Sequence, residues 1–575
     1  MKRSSLSVLP VLLASLGFAA SPAQATSPVA AATLLSTPTS ASGAAPKVEE
    51  APLRAHLAFL ASDLLEGRGT GQRGGELTMA YLETQARALG LQAVDGKSMR
   101  QSVAIAGVTM LPGDLQIRAN GQPQPLFVGA DWVYAHGDTQ ELHQFAHELV
   151  FAGYGTVAPE ENWDDFKGVD CKGKILVLLA NDPQPTNAEP QRFGGKALTY
   201  YGRSSYKHEQ ARRMGAAGVL LIHTEASALF PWVMAQHGVG NERFSLQDEG
   251  PDHGAPLALQ GWFTEAAAKK LLAAAGHDLD ALRAKAESRD FRISPLGLTL
   301  NGTTRAQVRK LTQDNIAALV PGTDPVLKNE LVIYSAHWDH LGIQAVAAGA
   351  AGAGGKPDLI YNGAVDNGSG SAALLAMAKA AVQAPAKRSQ LFLWLAAEEQ
   401  GLLGSAAYVA KPLWPLAKTA ASLNLDTLNF VGKTRDISLS GSERTELGMH
   451  AVELAAESGL TVAAPRPDVN GYYFRSDHFS FAKAGVPAFS VGKGVDYIQD
   501  PAASSEKAKG FGKRYHQVTD EYDPAWDLSG MVQQAQFALD LGRKVANAKS
   551  MPQWKAGDPF GANRAQTSEK LADKK

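Results

Sequence analysis

From residue 331 to 545 the chain alternates between two kinds of segment. Short apolar runs of strand length stand at 331–334, 391–395, 421–425 and 488–491. Helix-length stretches stand between and after them, at 371–382, 404–409, 446–458 and 528–545. Strands that alternate with helices imply a largely parallel sheet with both faces covered. The expected fold class is therefore α/β, a mixed, largely parallel sheet with helices on both faces. In such sheets ligands bind beyond the carboxyl ends of the strands. His337, Glu398, Glu399 and Asp426 each follow an apolar run, and Asp366 lies in a loop that precedes a helix. Sequence-distant segments thus bring polar groups to one sheet edge.

The rest of the chain divides by composition. Lys2 and Arg3, an apolar stretch over 6–20 and Ala23-Gln24-Ala25 read as an export signal cleaved after Ala25. Residues 26–45, rich in Ala, Ser, Thr and Pro, read as a disordered leader. The stretch 46–124 opens with Leu53, Leu57, Leu60 and Leu64 at helical spacing, broken at 66–71, and continues with a helix at 75–89 that Gly90 stops. Residues 125–290 form a separate α/β module, with strands at 174–179 and 219–222 and a helix at 207–214. Residues 291–549 carry the alternating pattern, and 550–575 read as a flexible polar tail. With 55 basic against 57 acidic residues and no basic stripe, a nucleic-acid partner is not expected. Past the N-terminus no segment is long and apolar enough for stable membrane insertion. Cys171, the one cysteine, permits no intrachain disulfide or thiolate cage and reads as a small buried hydrophobe.

Five stretches carry the chemistry: Ser335-Ala-His337-Trp-Asp339-His340, Ala364-Val-Asp366-Asn-Gly368, Ala397-Glu398-Glu399-Gln400-Gly401, Asn424-Leu-Asp426-Thr427 and Tyr515-His516-Gln-Val-Thr-Asp520. Singly, each has an ordinary reading. Asp366 alone would be a helix cap or turn former, and Glu398-Glu399 a solvated face. Together they supply what two divalent metals and one activated water require. Zinc takes imidazole and carboxylate ligands at about 2.0–2.2 Å. It lowers the pKa of bound water from about 15.7 to about 7, and two ions about 3.5–4 Å apart can hold nucleophile and carbonyl together. His337 with Asp426, His516 with Glu399, and Asp366 as a bridge would satisfy two such ions. Of the adjacent glutamates, one can ligate while the other stays free as general base, provided that a turn, which Gly401 permits, brings both to the site. Asp339, two residues after His337, is placed to hold that imidazole by its second nitrogen. His340 and His450 read as surface or packing residues.

The series His-x-Asp, Asp-Asn-x-Ser-Gly, Glu-Glu-x-Gly, Asp and Tyr/His-x-x-x-Asp resembles the M28 family of co-catalytic zinc peptidases, in particular exported bacterial aminopeptidases with an inserted protease-associated domain. The likeness covers about 48–548. Leu57 to Thr70 resembles the family's opening helix. Phe151-Ala-Gly-Tyr-Gly155, Lys172-Gly-Lys-Ile175 and Gly215-Ala-Ala-Gly-Val219 resemble the protease-associated domain. The resemblance implies a zinc exopeptidase-like fold with that smaller α/β domain at 125–290. It implies metal ligands His337, Asp366, Glu399, Asp426 and His516, with Glu398 as general base and two Zn2+ ions, other divalent metals also fitting N/O donors. Ser476-Asp477-His478 is a second family-like motif; His516 is preferred to His478 as the last ligand because Asp520 follows it by four residues. Tyr473 resembles a donor to the developing oxyanion and reads equally as a pocket wall. The Gly-rich loop 347–356 reads as a mobile rim rather than a phosphate loop, since it neither follows a strand nor opens a helix.

The expected function is hydrolysis of peptide substrates by an exported aminopeptidase, periplasmic or secreted. A carboxypeptidase or dipeptidase on the same scaffold is the nearest rival, and Arg475 does not decide between them. Glutaminyl cyclisation and a non-catalytic binding protein rank below. Nothing in the insert names a partner.

Overall fold

The computed structural model describes residues 46–247, 254–344, 358–464 and 466–564. The export signal, the leader, the Gly-rich loop and the last eleven residues of the tail lie outside the described residues.

The first half of the chain contributes helices α1 (Glu50–Leu60) and α2 (Arg73–Ala88) and strands β1 (Arg100–Leu111), β2 (Trp132–Ala135), β3 (Leu142–Phe151) and β4 (Ile175–Leu179). Helix α3 (Ser204–Arg213), β5 (Gly218–His223), β6 (Leu259–Thr264) and α4 (Glu265–Ala274) follow. Strand β7 (Ser294–Val320) leads to β8 (Leu331–His337), α5 (Ser369–Gln383), β9 (Ser389–Leu395), α6 (Leu403–Ala410) and β10 (Thr419–Asn424). Helices α7 (Glu446–Glu457) and α8 (His478–Lys483), strand β11 (Ala488–Ser490) and helix α9 (Ser529–Asn547) follow, with further short elements between those named.

One sheet runs through both halves in the order β11-β10-β8-β9-β7-β3-β4-β5-β6-β2. The runs β11-β10-β8-β9 and β3-β4-β5-β6 are each parallel. Between them β7 is antiparallel to both neighbours. Of its 27 residues, Ser294–Arg305 pairs with β3, Arg305–Ile316 with β1 and Ile316–Val320 with β9, and the short strands Gln92–Ala93 and Gln116–Ala119 pair with it as well. The strands β8, β9 and β10 are buried at every position. This is what parallel strands covered on two faces require, and it explains their unbroken apolar runs. Helices α1, α5 and α9 pack on one another, and α6 packs on α8.

Each half has its own core. Leu53, Leu57 and Leu60 of α1 join the core of the β8 half. A second core lies among Leu149, Ile175, Leu220 and Leu271, and a third, on Leu176, Leu178, Val219 and Leu221, holds Cys171. Ile117, Ala119, Leu296, Leu298 and Leu300 also belong to the second core, so its packing reaches past the 125–290 stretch. The shared strand β7 is the reason.

Two expectations are corrected. Leu64 does not continue the α1 stripe: the helix ends at Leu60, and Leu64 is exposed on a 3-10 turn over Asp63–Arg68. The polar C-terminal stretch is not a free tail over 551–564. Phe560 is buried, and the guanidinium of Arg444 lies over the rings of Trp554 and Phe560. Arg564 donates to the Leu416 carbonyl at 2.7 Å. Two aromatic anchors are enough to dock an otherwise polar segment.

Candidate metal centre

Parallel register does the first part of the assembly. Ser335 pairs with Asn424 and His337 with Leu395, so the residues just past these strand ends come to one edge. Asp426 lies two residues beyond Asn424, in line with His337. After β9 the chain turns sharply: Ala397 and Gly401 have φ of 53° and 106°, and the amides of Gly401 and Leu402 donate to the Glu398 carbonyl. That turn presents Glu398 and Glu399 to the same place. The Asp339 carboxylate accepts from both of their amides, at 2.9 and 3.3 Å. Asp366 sits at the entrance to α5, where the Asp520 carboxylate accepts the amides of Val365 and Asp366 at 3.1 Å.

The donor atoms fall into two sets that share one residue. His337 Nε2 lies 3.3 Å from Asp366 Oδ1 and 3.5 Å from Asp426 Oδ1. His516 Nε2 lies 3.2 Å from Asp366 Oδ2 and 3.0 Å from Glu399 Oε2. Two ligands on one tetrahedral ion, each about 2.0–2.1 Å from it, stand about 3.3 Å apart. Both sets meet that spacing, and each oxygen of Asp366 faces a different set. Asp426 Oδ1 and His516 Nε2 are buried without a hydrogen-bond partner among the described residues. The residues present therefore fit a pair of divalent cations, with Asp366 between them. Glu398 stands farther out, its Oε2 4.0 Å from His337 Nε2.

Electrostatics separates the carboxylates. Burial alone would raise Asp366, yet the imidazoles of His337 and His516 hold it well below the usual carboxylate range. Burial pushes Glu398 well above its ordinary value, against the pull of His337 and with the help of the Glu399, Asp426 and Asp477 charges. Glu399 is held down to about 2 despite burial, through His340 and His516.

Several residues sit differently from expectation. The Asp339 carboxylate does not bond the His337 ring: it stands 3.8 Å from Nδ1, and Nδ1 instead pairs with the Asp339 main-chain oxygen at 3.1 Å. The carboxylate is already engaged by the two glutamate amides. Tyr473 is a wall residue, buried, its hydroxyl donating to the Ala488 carbonyl at 3.0 Å. His478 packs edge-on against Tyr473 and is in neither donor set. His340 is not a surface residue: it is fully buried, with Nδ1 2.6 Å from Glu399 Oε1, and so leaves Oε2 of that glutamate facing His516. His450, half-buried on α7, is remote from the site sequence motifs and 3.7 Å from Glu453.

Sequence reasoning assigned no supporting role to four residues. Ser476 donates to Asp426 Oδ2 at 2.7 Å, and its hydroxyl also receives the Asn424 amide. Asp520 holds the Asp366 loop by its amides, and Ser371 ties α5 to the His337 carbonyl at 2.8 Å. Tyr515 stacks on His516 with ring centroids 3.8 Å apart. The Ser-Asp-His triplet, the Tyr-His pair and the His516-x-x-x-Asp520 spacing were the available signals for three of these.

Residues 315–539 match the model of Peptidase family M28. Leupeptin-inactivating enzyme 1 of Streptomyces exfoliatus is 28% identical over 285 residues, 47% of this chain and 57% of that protein. Leucine aminopeptidase 1 of Trichophyton equinum is 28% identical over 220 residues, 36% of this chain and 55% of that protein. The chain thus spans about half the length of the curated relatives it matches. Among solved structures, an aminopeptidase from Aneurinibacillus sp. strain AM-1 aligns with a TM-score of 0.46 at 17% identity, over 88% of this chain and 96% of that one.

Proposed function

We propose that the protein is an exported di-zinc aminopeptidase that releases N-terminal residues from peptides. The observation that carries this reading is the position of Asp366, whose two oxygens face two separate imidazole–carboxylate sets at 3.3 and 3.2 Å. His337, Asp426 and one Asp366 oxygen would hold one ion; His516, Glu399 and the other oxygen would hold the second. When bound, the pair supplies an activated water as nucleophile and polarises the scissile carbonyl. Glu398 would act as the general base, accepting a proton from the attacking water and returning it to the leaving amine. Burial raises its pKa above the ordinary carboxylate value, the direction that strengthens a carboxylate as a base. Tyr515 is the phenol available to a developing oxyanion, since its hydroxyl has no hydrogen-bond partner among the described residues and its ring is fixed on His516. Asp339 and His340 position the two glutamates.

The names of the fungal relatives favour an aminopeptidase over a carboxypeptidase. Export rests on the A-x-A signal in the sequence, and none of the described helices is long and apolar enough to cross a membrane. Residues 125–290 are read as an inserted protease-associated domain. The test is a panel of aminoacyl and acyl-blocked peptides with and without chelator. Cleavage only of free-amine substrates, abolished by chelator and restored by zinc, is the expected result. Cleavage of blocked peptides, or indifference to chelator, would overturn the reading.

A further inference from the structure

The opening motif Leu-x-Gly-Arg, remote in sequence from every donor, reaches the centre. Arg68 is 1% exposed, and its guanidinium bonds no carboxylate. Nε donates to the Trp338 carbonyl at 2.9 Å, Nη1 to Leu60 at 2.6 Å and Asn362 at 2.5 Å, and Nη2 to Gly363 at 2.8 Å. Trp338 directly follows His337. Asn362 and Gly363 open the loop that carries Asp366. The Arg68 carbonyl in turn accepts the amide of His340, the residue that holds Glu399. One planar fork therefore ties the end of α1 to two donor loops.

The local sequence is shaped for this insertion. Gly67 has a φ of 67°, and a Cβ there would collide with the main-chain oxygens of Tyr361 and Gly342. The segment threads between the two loops with no room for a side chain. From the other side, Asp520 takes the amides of Val365 and Asp366, so the Asp366 loop is gripped by its carbonyls and by its amides. A guanidinium offers five donors in a fixed fork, whereas an ammonium is a point charge on a flexible stem. Four carbonyls in set directions call for the fork.

We infer that Arg68 is a positioning residue of the metal centre, setting the relation of the His337 and Asp366 loops and thereby the affinity for the ions. The inference rests on the di-zinc reading above. Partners that orient metal ligands typically contribute about 10–100-fold in affinity. A second arginine separates this role from general stability. Arg388 is equally buried and donates to the Val545 and Ala548 carbonyls and to Glu330, at the opposite end of β9.

The experiment is zinc titration of the full chain against a chromophoric chelator at 25 °C, with folding checked by circular dichroism. Wild type, Arg68→Lys, Arg68→Met and Arg388→Lys are compared. Wild type should bind two equivalents; failure there would sink the di-zinc reading itself. Arg68→Lys, which keeps the charge and loses the fork, should bind zinc at least about tenfold more weakly, and Arg68→Met more weakly still. Arg388→Lys should lower Tm and leave zinc affinity within about threefold. If Arg68→Met does not fold, Arg68→Lys carries the test. Zinc affinity within threefold of wild type in folded Arg68→Lys, or an equal loss in Arg388→Lys, would overturn the inference.

Discussion

At the carboxyl ends of β4, β5 and β6 stand Asp182, His223 and Thr264; past those of β8, β9 and β10 stand His337, Glu398 and Asp426. In the first group the protein satisfies each side chain. Asp182 accepts the Thr199 amide at 2.9 Å and its hydroxyl as well. His223 pairs with the Phe230 carbonyl at 2.9 Å, and Thr264 caps α4 through the Ala267 amide. In the second group the donors face one another, and Asp426 Oδ1 and His516 Nε2 find no hydrogen bond. Two parallel sheet segments with helices thus differ in one respect: whether the strand-end groups are used up by the fold. Buried polar atoms are nearly always paired, so a convergent set left over is the signature of a ligand.

The sharpest way to break this contrast is to remove the shared group. Asp366→Asn should lose both ions and reduce turnover to background, whereas His337→Gln should lose mainly one ion. Metal content by mass spectrometry checks both, and equal loss in the two variants would count against a bridge. Glu398→Ala comes next. It should cost about 10²–10⁴-fold in kcat while metal content stays near normal. Wild-type activity, or a metal-free protein, would contradict its role as base.

Much of the centre was legible because its residues are marked locally. His337, Glu398, Glu399 and Asp426 end apolar runs, and Asp366 opens a helix, so strand patterning alone placed them at one edge. The residues that hold them carry no such mark. Arg68 and Trp338 are 270 positions apart, and Asp520 and Asp366 are 154 apart. Tyr473 stayed between oxyanion donor and wall because packing against the β11 end, which no periodicity reveals, decides where its hydroxyl points. The 27-residue β7 was also hidden: its burial alternates where it serves the outer partners and becomes continuous only near β9. The docked segment 551–564 was masked by its polar composition, in which Met551, Trp554 and Phe560 are the large apolar anchors.

Smaller effects test whether the halves differ in function alone. Each holds a desolvated neutral imidazole: burial of the ring pushes both His208, half-buried on α3, and His478, buried on α8, down to about 4. The unfolded chain titrates near 6.5. Each ring therefore contributes stability that is fully present above about pH 6.5 and is lost as the pH falls toward 4. Urea midpoints for His208→Gln and His478→Gln should fall less steeply between pH 7 and 4.5 than the wild-type midpoint, in similar degree. A slope unchanged by either variant would remove the argument. The smallest effect is expected at His136, Asp138 and His143, a cluster of metal-ligating type in the first half. There His136 is bonded by both nitrogens, to the Gln140 carbonyl and Thr304 hydroxyl, and His143 pairs with Asp138 at 2.8 Å. Asp138→Asn should leave zinc content unchanged, and loss of an equivalent would mean that satisfied clusters also bind.

The most direct test is an anomalous difference map from zinc-loaded crystals collected at the zinc edge. Two peaks flanking the Asp366 carboxylate, about 3.5–4 Å apart, with one beside His337 and Asp426 and the other beside His516 and Glu399, are the predicted result. A single peak, or none at Asp366 while zinc is present in the crystal, would contradict it.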